Sequence, residues 1–243
     1  MTDNNDNKVE NDNYDEHSIR FYGRRLGRPL KPQRQRLIED VLPSLRVPVP
    51  GEDRAGSLDP ASLFDTPKSA YWLEIGFGGG EHLAAQAALN PDVGFIGCEP
   101  FVNGVASLLA VIQDQNLKNI RLFDDDVRYL LPGFRDGAFE QVFLLYPDPW
   151  PKKKHNRRRM INDENITTFA RILSPGGEFR FASDSMDYIR WTLSSMARNT
   201  EFDWTAKRPG DWRTRPADMI QTRYETKARA KGSDCVYLRY ARV

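Results

Sequence analysis

The 243-residue sequence is poor in the residues that build disulfide-bonded or metal-held scaffolds. It has two cysteines and three histidines, too few cysteines for a disulfide framework or a four-cysteine zinc site. A reducing, cytoplasmic setting is the simplest interpretation. No apolar run approaches the roughly 20 residues that a membrane helix needs, and the first residues are too polar for a signal peptide. We therefore expect no disulfide, no metal and no membrane span.

The net charge of +1 hides segments of opposite charge. Residues 1–17 contain six acidic residues and one lysine, a net charge of −5, which leaves +6 on the rest of the chain. This acidic tail has little apolar surface to bury and is predicted to be disordered. Basic residues cluster at 20–36, at 152–159 and, with acids interspersed, at 207–231. One such cluster is usually a solvated face, but three favour a polyanionic partner such as a nucleic acid.

From residue 71 onward, short apolar segments alternate with helical patterns. Strands are predicted at residues 71–75, 93–98, 120–123, 140–146, 178–182 and 235–243. Helices are predicted at residues 81–89, 102–115, 163–173 and 186–198. Ser174-Pro175-Gly176-Gly177 predicts a stop and a turn after the third helix. This order indicates an α/β fold whose sheet is mostly parallel, with a final antiparallel strand and helices on both faces.

The chain is expected to divide into three parts. Residues 1–17 are the acidic tail, and residues 18–70 form a basic extension that becomes rich in proline and glycine. One helix is predicted within this extension, near residues 33–42. Residues 71–243 form the α/β domain. Ligands of such domains bind beyond the carboxyl ends of the strands, near the point where the strand order reverses.

A glycine-rich loop follows the first predicted strand, in Glu74-Ile75-Gly76-Phe77-Gly78-Gly79-Gly80. Glycines allow a tight turn and a close approach of a ligand to the main chain. A dinucleotide fingerprint needs a glycine where this sequence has Glu81. Glu74 would repel a pyrophosphate but attract a cation, so the loop favours S-adenosylmethionine over a nicotinamide dinucleotide.

Acidic residues also follow the second and third predicted strands. Glu99 lies where an acid accepts hydrogen bonds from ribose hydroxyls. Asp124, Asp125 and Asp126 are placed to meet an adenine amino group. Helix capping is the alternative role of Asp124 and Asp125.

A rigid loop follows the fourth predicted strand, in Pro147-Asp148-Pro149-Trp150-Pro151. Three prolines restrict the backbone around one carboxylate, which favours a functional site over a plain turn. Trp150 either stacks on a base or packs the loop. The basic residues 152–159 follow at once and suggest an RNA or DNA substrate whose base enters the crevice.

The sequence resembles the bacterial tRNA (guanine-N7-)-methyltransferase family over residues 18–243. The resemblance rests on Glu-Ile-Gly-Phe-Gly-Gly-Gly, Pro-Asp-Pro-Trp-Pro-Lys with His-Asn-Arg-Arg-Arg, Ala-Ser-Asp and Thr-Arg-Tyr-Glu, in this order. It implies a class I methyltransferase (Rossmann-like) fold, S-adenosyl-L-methionine as methyl donor, and guanosine 46 of the tRNA variable loop as target. The family usually has Asp-Ala where this chain has Asp125-Asp126-Val127, and the spacing from Glu99 favours Asp126 as the adenine contact.

The resemblance also implies the roles of individual residues, with Asp148 as the catalytic residue. The cofactor-binding residues would be Glu74, Gly76, Gly78, Glu99, Asp126 and Asp148. The substrate-binding residues would be Lys152, Asp184, Thr222, Arg223, Tyr224 and Glu225. The RNA-binding residues would be Lys154, His155, Asn156, Arg157, Arg158 and Arg159. Without the family, Thr222 and Glu225 predict an ordinary helix N-terminus with Thr222 as its cap.

Three other functions are open at this point. They are a nicotinamide-dependent oxidoreductase, an RNA-binding protein without catalysis, and a methyltransferase acting on another RNA or on a protein. Glu74 and Glu81 argue against the first, and the acids at successive strand ends argue against the second. The histidines, at positions 17, 82 and 155, have no metal-ligand spacing and are interpreted as surface or packing residues.

Overall fold

A computed structural model describes residue 19, residues 21–51 and residues 55–243. The acidic tail and Arg20 lie outside the described residues, so the disorder of the tail stays a prediction. Within the described ranges, no helix is both long enough and apolar enough to cross a membrane.

A seven-stranded sheet forms the centre of the molecule. Its strands are β1 Ala70–Ile75, β2 Val93–Cys98, β3 Ile120–Phe123, β4 Phe139–Leu145, β5 Leu173–Ser183, β6 Phe202–Trp204 and β7 Val236–Arg242. Their spatial order is β3-β2-β1-β4-β5-β7-β6. Strands β1 to β5 are parallel, and β7 is antiparallel to both β5 and β6. The predicted α/β class and the final antiparallel strand are confirmed, whereas β6 was not predicted.

Helices cover both faces of this sheet. The longer ones are α3 Glu81–Leu89, α4 Val102–Gln115, α5 Asp163–Ile172, α6 Met186–Met196 and α8 Arg223–Ala230. The shorter ones are α1 Pro32–Arg36, α2 Leu42–Leu45 and α7 Gly210–Arg213, with the π-helical turn Leu37–Val41 joining α1 to α2. Helices α5 and α6 pack on one face, and α3, α4 and α8 pack on the other. Because both faces are covered, β2 is buried along its whole length, as is typical of parallel sheets.

The segment with Ser174 to Gly177 differs from its prediction. The helix ends at Ile172 and β5 begins at once, so the expected turn lies inside a strand. Phe139 pairs with Leu173 and Gln141 pairs with Glu178, so residues 174–177 of β5, four in number, lie opposite the single residue Glu140 of β4. Gly176, with φ of 77°, supplies the left-handed residue of this bulge. The backbone preferences of Pro175, Gly176 and Gly177 therefore produce a bulge inside a strand.

The basic extension packs on α4 and along the β3 edge of the sheet. The helix predicted near residues 33–42 is present as α1, the π-helical turn and α2. Arg34 donates hydrogen bonds from Nη1 to the carbonyl oxygens of Ala106 and Ser107 at 2.6 and 3.1 Å. The Val102 N–H donates to the carbonyl of Arg25 at 2.9 Å. These contacts bring residues 21–25 to the carboxyl ends of the strands.

Candidate active site

A cavity of about 590 Å³ opens beyond the carboxyl ends of β1 to β4. The strand order reverses between β1 and β4, which is where α/β sheets bind ligands. The volume lies within the range of roughly 300–1,000 Å³ that is usual for small-molecule sites. The wall includes Gly76, Gly78, Glu99, Asp125, Asp126 and Asp148. The structure thus brings together residues that follow four different strands.

The glycine loop after β1 is shaped by two separate constraints. Gly76, Gly78 and Gly80 have φ of 72°, 58° and 79°, a region that strains residues with a Cβ. Gly104, in the first turn of α4, is so close to the loop that a Cβ there would lie 2.1 Å from the Gly78 carbonyl oxygen. The loop therefore turns sharply and lies directly on α4, with its main chain beside the cavity.

Glu99 is buried and holds two loops together with its carboxylate. The Gly78 N–H donates to Oε2 at 2.7 Å, and the Phe101 N–H donates to Oε1 at 2.9 Å. Burial raises the pKa of the Glu99 carboxyl, the two hydrogen bonds lower it, and the charges of Asp148 and Glu74 raise it further. A cation bound in the cavity would offset this repulsion between carboxylates.

Asp125 and Asp126 both line the cavity, but they are engaged differently. Asp126 is buried and accepts hydrogen bonds from the N–H and guanidinium of Arg128 at 2.6–3.0 Å. Asp125 accepts the Asp126 N–H at 2.7 Å and pairs with Arg25 of the extension. Both aspartates that the sequence offers as the adenine contact therefore line the cavity, and the choice of Asp126 stays a prediction.

The proline-rich loop after β4 is held in a strained conformation. Tyr146 and Trp150, which flank its Pro-Asp-Pro centre, have φ of 51° and 44°. Left-handed residues other than glycine cost of order 1–3 kcal/mol each and persist where the surroundings fix them. Between them, Asp148 is exposed and lies in the cavity wall. The loop thus presents one carboxylate to the cavity from a restricted backbone.

Trp150 contacts residues around the loop and also lines the cavity, so both roles left open by the sequence stay predictions. The guanidinium carbon of Arg158 lies 4.2 Å from the Tyr22 ring centre and 4.9 Å from the Trp150 ring centre. The rings of Trp150 and His155 meet edge to face with centroids 6.0 Å apart. Arg158, Tyr22 and Trp150 thus pack together in the cavity wall, with the guanidinium of Arg158 within cation–π distance of both rings.

The basic tract 152–159 separates into exposed and buried cations. Its centre is the 3₁₀ helix Lys153–Arg158, and Lys152, Lys153, Lys154 and Arg157 are exposed. Arg159 is 2% exposed, donates from Nε to the Pro149 carbonyl at 3.0 Å and pairs with Asp187. The RNA contact assigned to Arg159 stays a prediction, but the structure gives this guanidinium an internal role in holding the proline-rich loop.

Arg223 and Tyr224, predicted to bind substrate, lie on the glycine loop. A Cβ at Gly78 would be 3.1 Å from the Tyr224 ring, and Tyr224 lines the cavity. Arg223 pairs with Glu81 at the start of α3. This part of the Thr-Arg-Tyr-Glu motif therefore contacts the elements predicted to bind the donor.

Four more of the predicted binding residues, Glu74, Asp184, Thr222 and Glu225, lie outside the cavity wall, as do Lys152, Lys154, His155, Asn156 and Arg223. Glu74 is buried and hydrogen-bonded to His82, and Asp184 is exposed just after β5. Thr222 caps α8 by accepting the Glu225 N–H at 3.1 Å, as the motif taken alone predicted. The binding roles of these side chains stay predictions.

Sequence reasoning missed the contribution of the N-terminal segment to the site. Residues 21–24 line the cavity together with Glu99 and Asp148. Aromatic residues beside the first basic cluster were the only signal in the sequence. Buried His82, with its bond to Glu74, was also missed, because the sequence showed only a histidine without metal-ligand spacing.

Comparisons with known proteins agree with this geometry. A family model described as "Putative methyltransferase" matches residues 68–238. The tRNA (guanine-N(7)-)-methyltransferase of Rhodospirillum rubrum is 52% identical over 223 residues, covering 92% of this chain and 88% of that protein. The protein of the same name from Agrobacterium fabrum is 48% identical over 222 residues, covering 91% and 94%.

A solved structure shows the same fold. The 16S rRNA (adenine(1408)-N(1))-methyltransferase from Catenulisporales acidiphilia matches with a TM-score of 0.54 at 14% identity, over 77% of this chain and 94% of that one. The likeness shows a class I methyltransferase fold, as the sequence predicted. Taken with the family match and the similarity along nine-tenths of the chain, it follows that this chain belongs to the bacterial tRNA (guanine-N7-)-methyltransferase family.

Proposed function

We propose that the protein transfers a methyl group from S-adenosyl-L-methionine to N7 of guanosine 46 in the variable loop of tRNA. The observation that carries the proposal is the carboxylate-lined cavity beside an exposed basic tract. The names of the relatives support the tRNA and the N7 atom, and the resemblance supports position 46. The proposal includes a cytoplasmic location, a methyltransferase domain at residues 71–243 and a basic extension at residues 18–70.

The residues around the cavity fit a cationic methyl donor. When bound, S-adenosylmethionine supplies a methyl group on a positively charged sulfur. Glu99 and Asp148 offer negative charge, and the raised pKa of Glu99 reflects burial together with the charge of Asp148. Gly76 offers main chain with no side chain close to it, and Gly78 offers main chain beside the Tyr224 ring. Asp125 or Asp126 would bind the adenine end.

The chain does not need a general base for this reaction. Guanine N7 has an in-plane lone pair and carries no proton, so alignment and charge stabilisation are the main contributions. The purine gains positive charge as it is methylated. Asp148, held rigidly in the cavity wall, can stabilise this charge or orient the base through its N1 and N2 hydrogens. Because N7 can be engaged in folded tRNA, access can require the base to swing out.

A direct assay tests the function. The protein is incubated with methyl-labelled S-adenosylmethionine and an unmodified tRNA transcript, and the nucleosides are analysed. We expect 7-methylguanosine at position 46, and none in a transcript with adenosine at that position. Labelled ribosomal RNA with unlabelled tRNA, or a protein that binds a nicotinamide dinucleotide but no methyl donor, would contradict the proposal.

Exposed lysines of the basic tract should contribute salt-dependent tRNA binding. We expect the double substitution Lys153→Gln, Lys154→Gln to weaken binding and to lower the slope of log Kd against log salt by about 1.5, since each lost phosphate contact removes about 0.7–0.9. Filter binding at several salt concentrations measures this slope. Arg159 is left unchanged because its side chain is buried.

The matched control is the double substitution Lys68→Gln, Lys118→Gln. These lysines precede β1 and β3, at the amino ends of the strands and therefore opposite the cavity. The control should keep the original slope. A tract variant with an unchanged slope would place residues 153 and 154 away from the RNA.

A further inference from the structure

A chain of buried hydrogen bonds connects β1 to the segment before α8. His82 Nδ1 lies 2.7 Å from Glu74 Oε2. Gln86 Nε2 lies 3.4 Å from His82 Nε2 and 2.5 Å from the carbonyl oxygen of Asp218. Glu74, His82 and Gln86 are each at most 4% exposed. These side chains lie behind the cavity wall and connect two parts of the chain more than 130 residues apart.

The direction of these hydrogen bonds follows from their last member. A main-chain carbonyl only accepts, so Gln86 donates its amide to Asp218. The second hydrogen of that amide faces His82 Nε2, which makes this nitrogen an acceptor. The proton of a neutral His82 therefore lies on Nδ1 and is donated to Glu74. Asn90, which donates to Gln86 Oε1 at 3.3 Å, fits the same amide orientation.

The segment at the end of this hydrogen-bond chain, around Asp218, is also held by contacts with β5 and with the glycine loop. The Asp218 carboxylate accepts from Arg180 Nη1 at 2.7 Å, and Arg180 is a buried residue of β5. A few residues later, Arg223 pairs with Glu81 and Tyr224 lies on the glycine loop. Segment 218–225 therefore contacts α3 in the buried layer and again at the surface, and it also contacts the glycine loop.

We propose that His82 and Gln86 are positioning residues that couple methyl-donor binding to tRNA binding. His82 fixes the Glu74 carboxylate beside the glycine loop. Gln86 fixes the segment that carries Arg223 and Tyr224. Donor binding on one side of this chain then favours the arrangement of segment 218–225 that accepts tRNA, and tRNA favours donor binding equally. The inference rests on the proposed function, because it assumes these two ligands.

The test measures the Kd of S-adenosylhomocysteine by calorimetry, with and without saturating unmodified tRNA. In the unaltered protein, tRNA is expected to tighten this binding at least about fivefold, the lower end of typical coupling. In Gln86→Leu, binding without tRNA should stay within about twofold while the tRNA effect falls below about twofold. Gln86→Asn, with a shortened amide, gives the same readout in a second variant.

Two variants of His82 separate the contact with Glu74 from the contact with Gln86. His82→Leu removes the donor to Glu74, so binding of S-adenosylhomocysteine without tRNA should weaken by about tenfold, as for a lost hydrogen bond to a charged group. In His82→Asn, the side-chain amide can donate to Glu74 as Nδ1 does. This variant should recover the affinity without tRNA but not the tRNA effect.

Asn119→Ala is the matched control for a loss of buried polar contacts. Asn119 is 4% exposed and donates to the carbonyls of Ala87, Asn90 and Val93. The Asn119→Ala variant should have a lower unfolding midpoint but keep the effect of tRNA on the binding of S-adenosylhomocysteine. Equal loss of the effect in this control, or an intact effect in Gln86→Leu, overturns the inference.

The same experiment separates the inference from the proposed function. An unaltered protein that binds S-adenosylhomocysteine and methylates tRNA, but shows no effect of tRNA on that binding, overturns the inference alone. An unaltered protein that neither binds S-adenosylhomocysteine nor methylates tRNA overturns both.

Discussion

Replacing Asp148 with asparagine is expected to lower the turnover of tRNA methylation at least about 100-fold, the scale of one preorganised electrostatic group. The side chain keeps its shape but loses the negative charge that the proline-rich loop presents to the cavity. The loss should appear in kcat rather than in the KM for the donor, because the purine becomes positively charged during methyl transfer. Single-turnover measurements with saturating tRNA and donor test this expectation.

Two further variants make the Asp148 result specific. Asp184→Asn tests the other carboxylate that the sequence offered for charge stabilisation, and we expect a smaller loss because Asp184 lies outside the cavity wall. Asp136→Asn changes an exposed residue that pairs with Arg171 and should leave turnover unchanged. Near-normal turnover in Asp148→Asn would remove this carboxylate from the mechanism.

Replacing Glu99 with alanine is expected to weaken donor binding by about 100-fold. The substitution removes an acceptor shared by the Gly78 and Phe101 N–H groups. Hydrogen bonds to charged groups contribute about 1.5–3 kcal/mol each, and about 2.7 kcal/mol corresponds to 100-fold in Kd. Without this acceptor, the glycine loop has to be ordered when the donor binds, and this ordering reduces the free energy of binding. Calorimetry with S-adenosylhomocysteine measures the effect.

The raised pKa of Glu99 adds a pH dependence to this prediction. Burial raises the pKa above the ordinary glutamate value of 4.5, so Glu99 takes up a proton earlier as the pH falls. The neutral form attracts a cation less, so donor affinity should begin to fall at a higher pH than an ordinary glutamate would cause. Glu99→Gln should flatten this part of the profile. Glu164→Ala, an exposed change at the start of α5, is the control, and an equal loss of affinity in it would contradict the assignment.

Local sequence patterns predicted most of the strands and helices. The helix at Val102–Gln115 and the strand at Val93–Cys98 have the predicted bounds, because apolar periodicity and burial coincide along them. The Pro-Gly-Gly segment was predicted less well. Its backbone preference is the same in a turn and in a bulge, and only pairing with β4 makes it part of a strand.

The basic tract shows where local reasoning ends. Arg157, Arg158 and Arg159 are neighbours with identical side chains, yet the first is exposed, the second contacts two aromatic rings and the third is buried. Nothing in the tract distinguishes them. Their environments come from Tyr22 of the N-terminal segment and from Asp187 of α6.

The sequence by itself determined the α/β order, the family, and the position of acids at successive strand ends, because each depends on short-range patterns of residue type. The tertiary structure alone decided which of these acids share one cavity, that residues 21–24 close it, and that Glu74 is joined through His82 and Gln86 to Asp218. Contacts between residues far apart in the chain depend on how the packed layers meet, and no local pattern encodes that geometry.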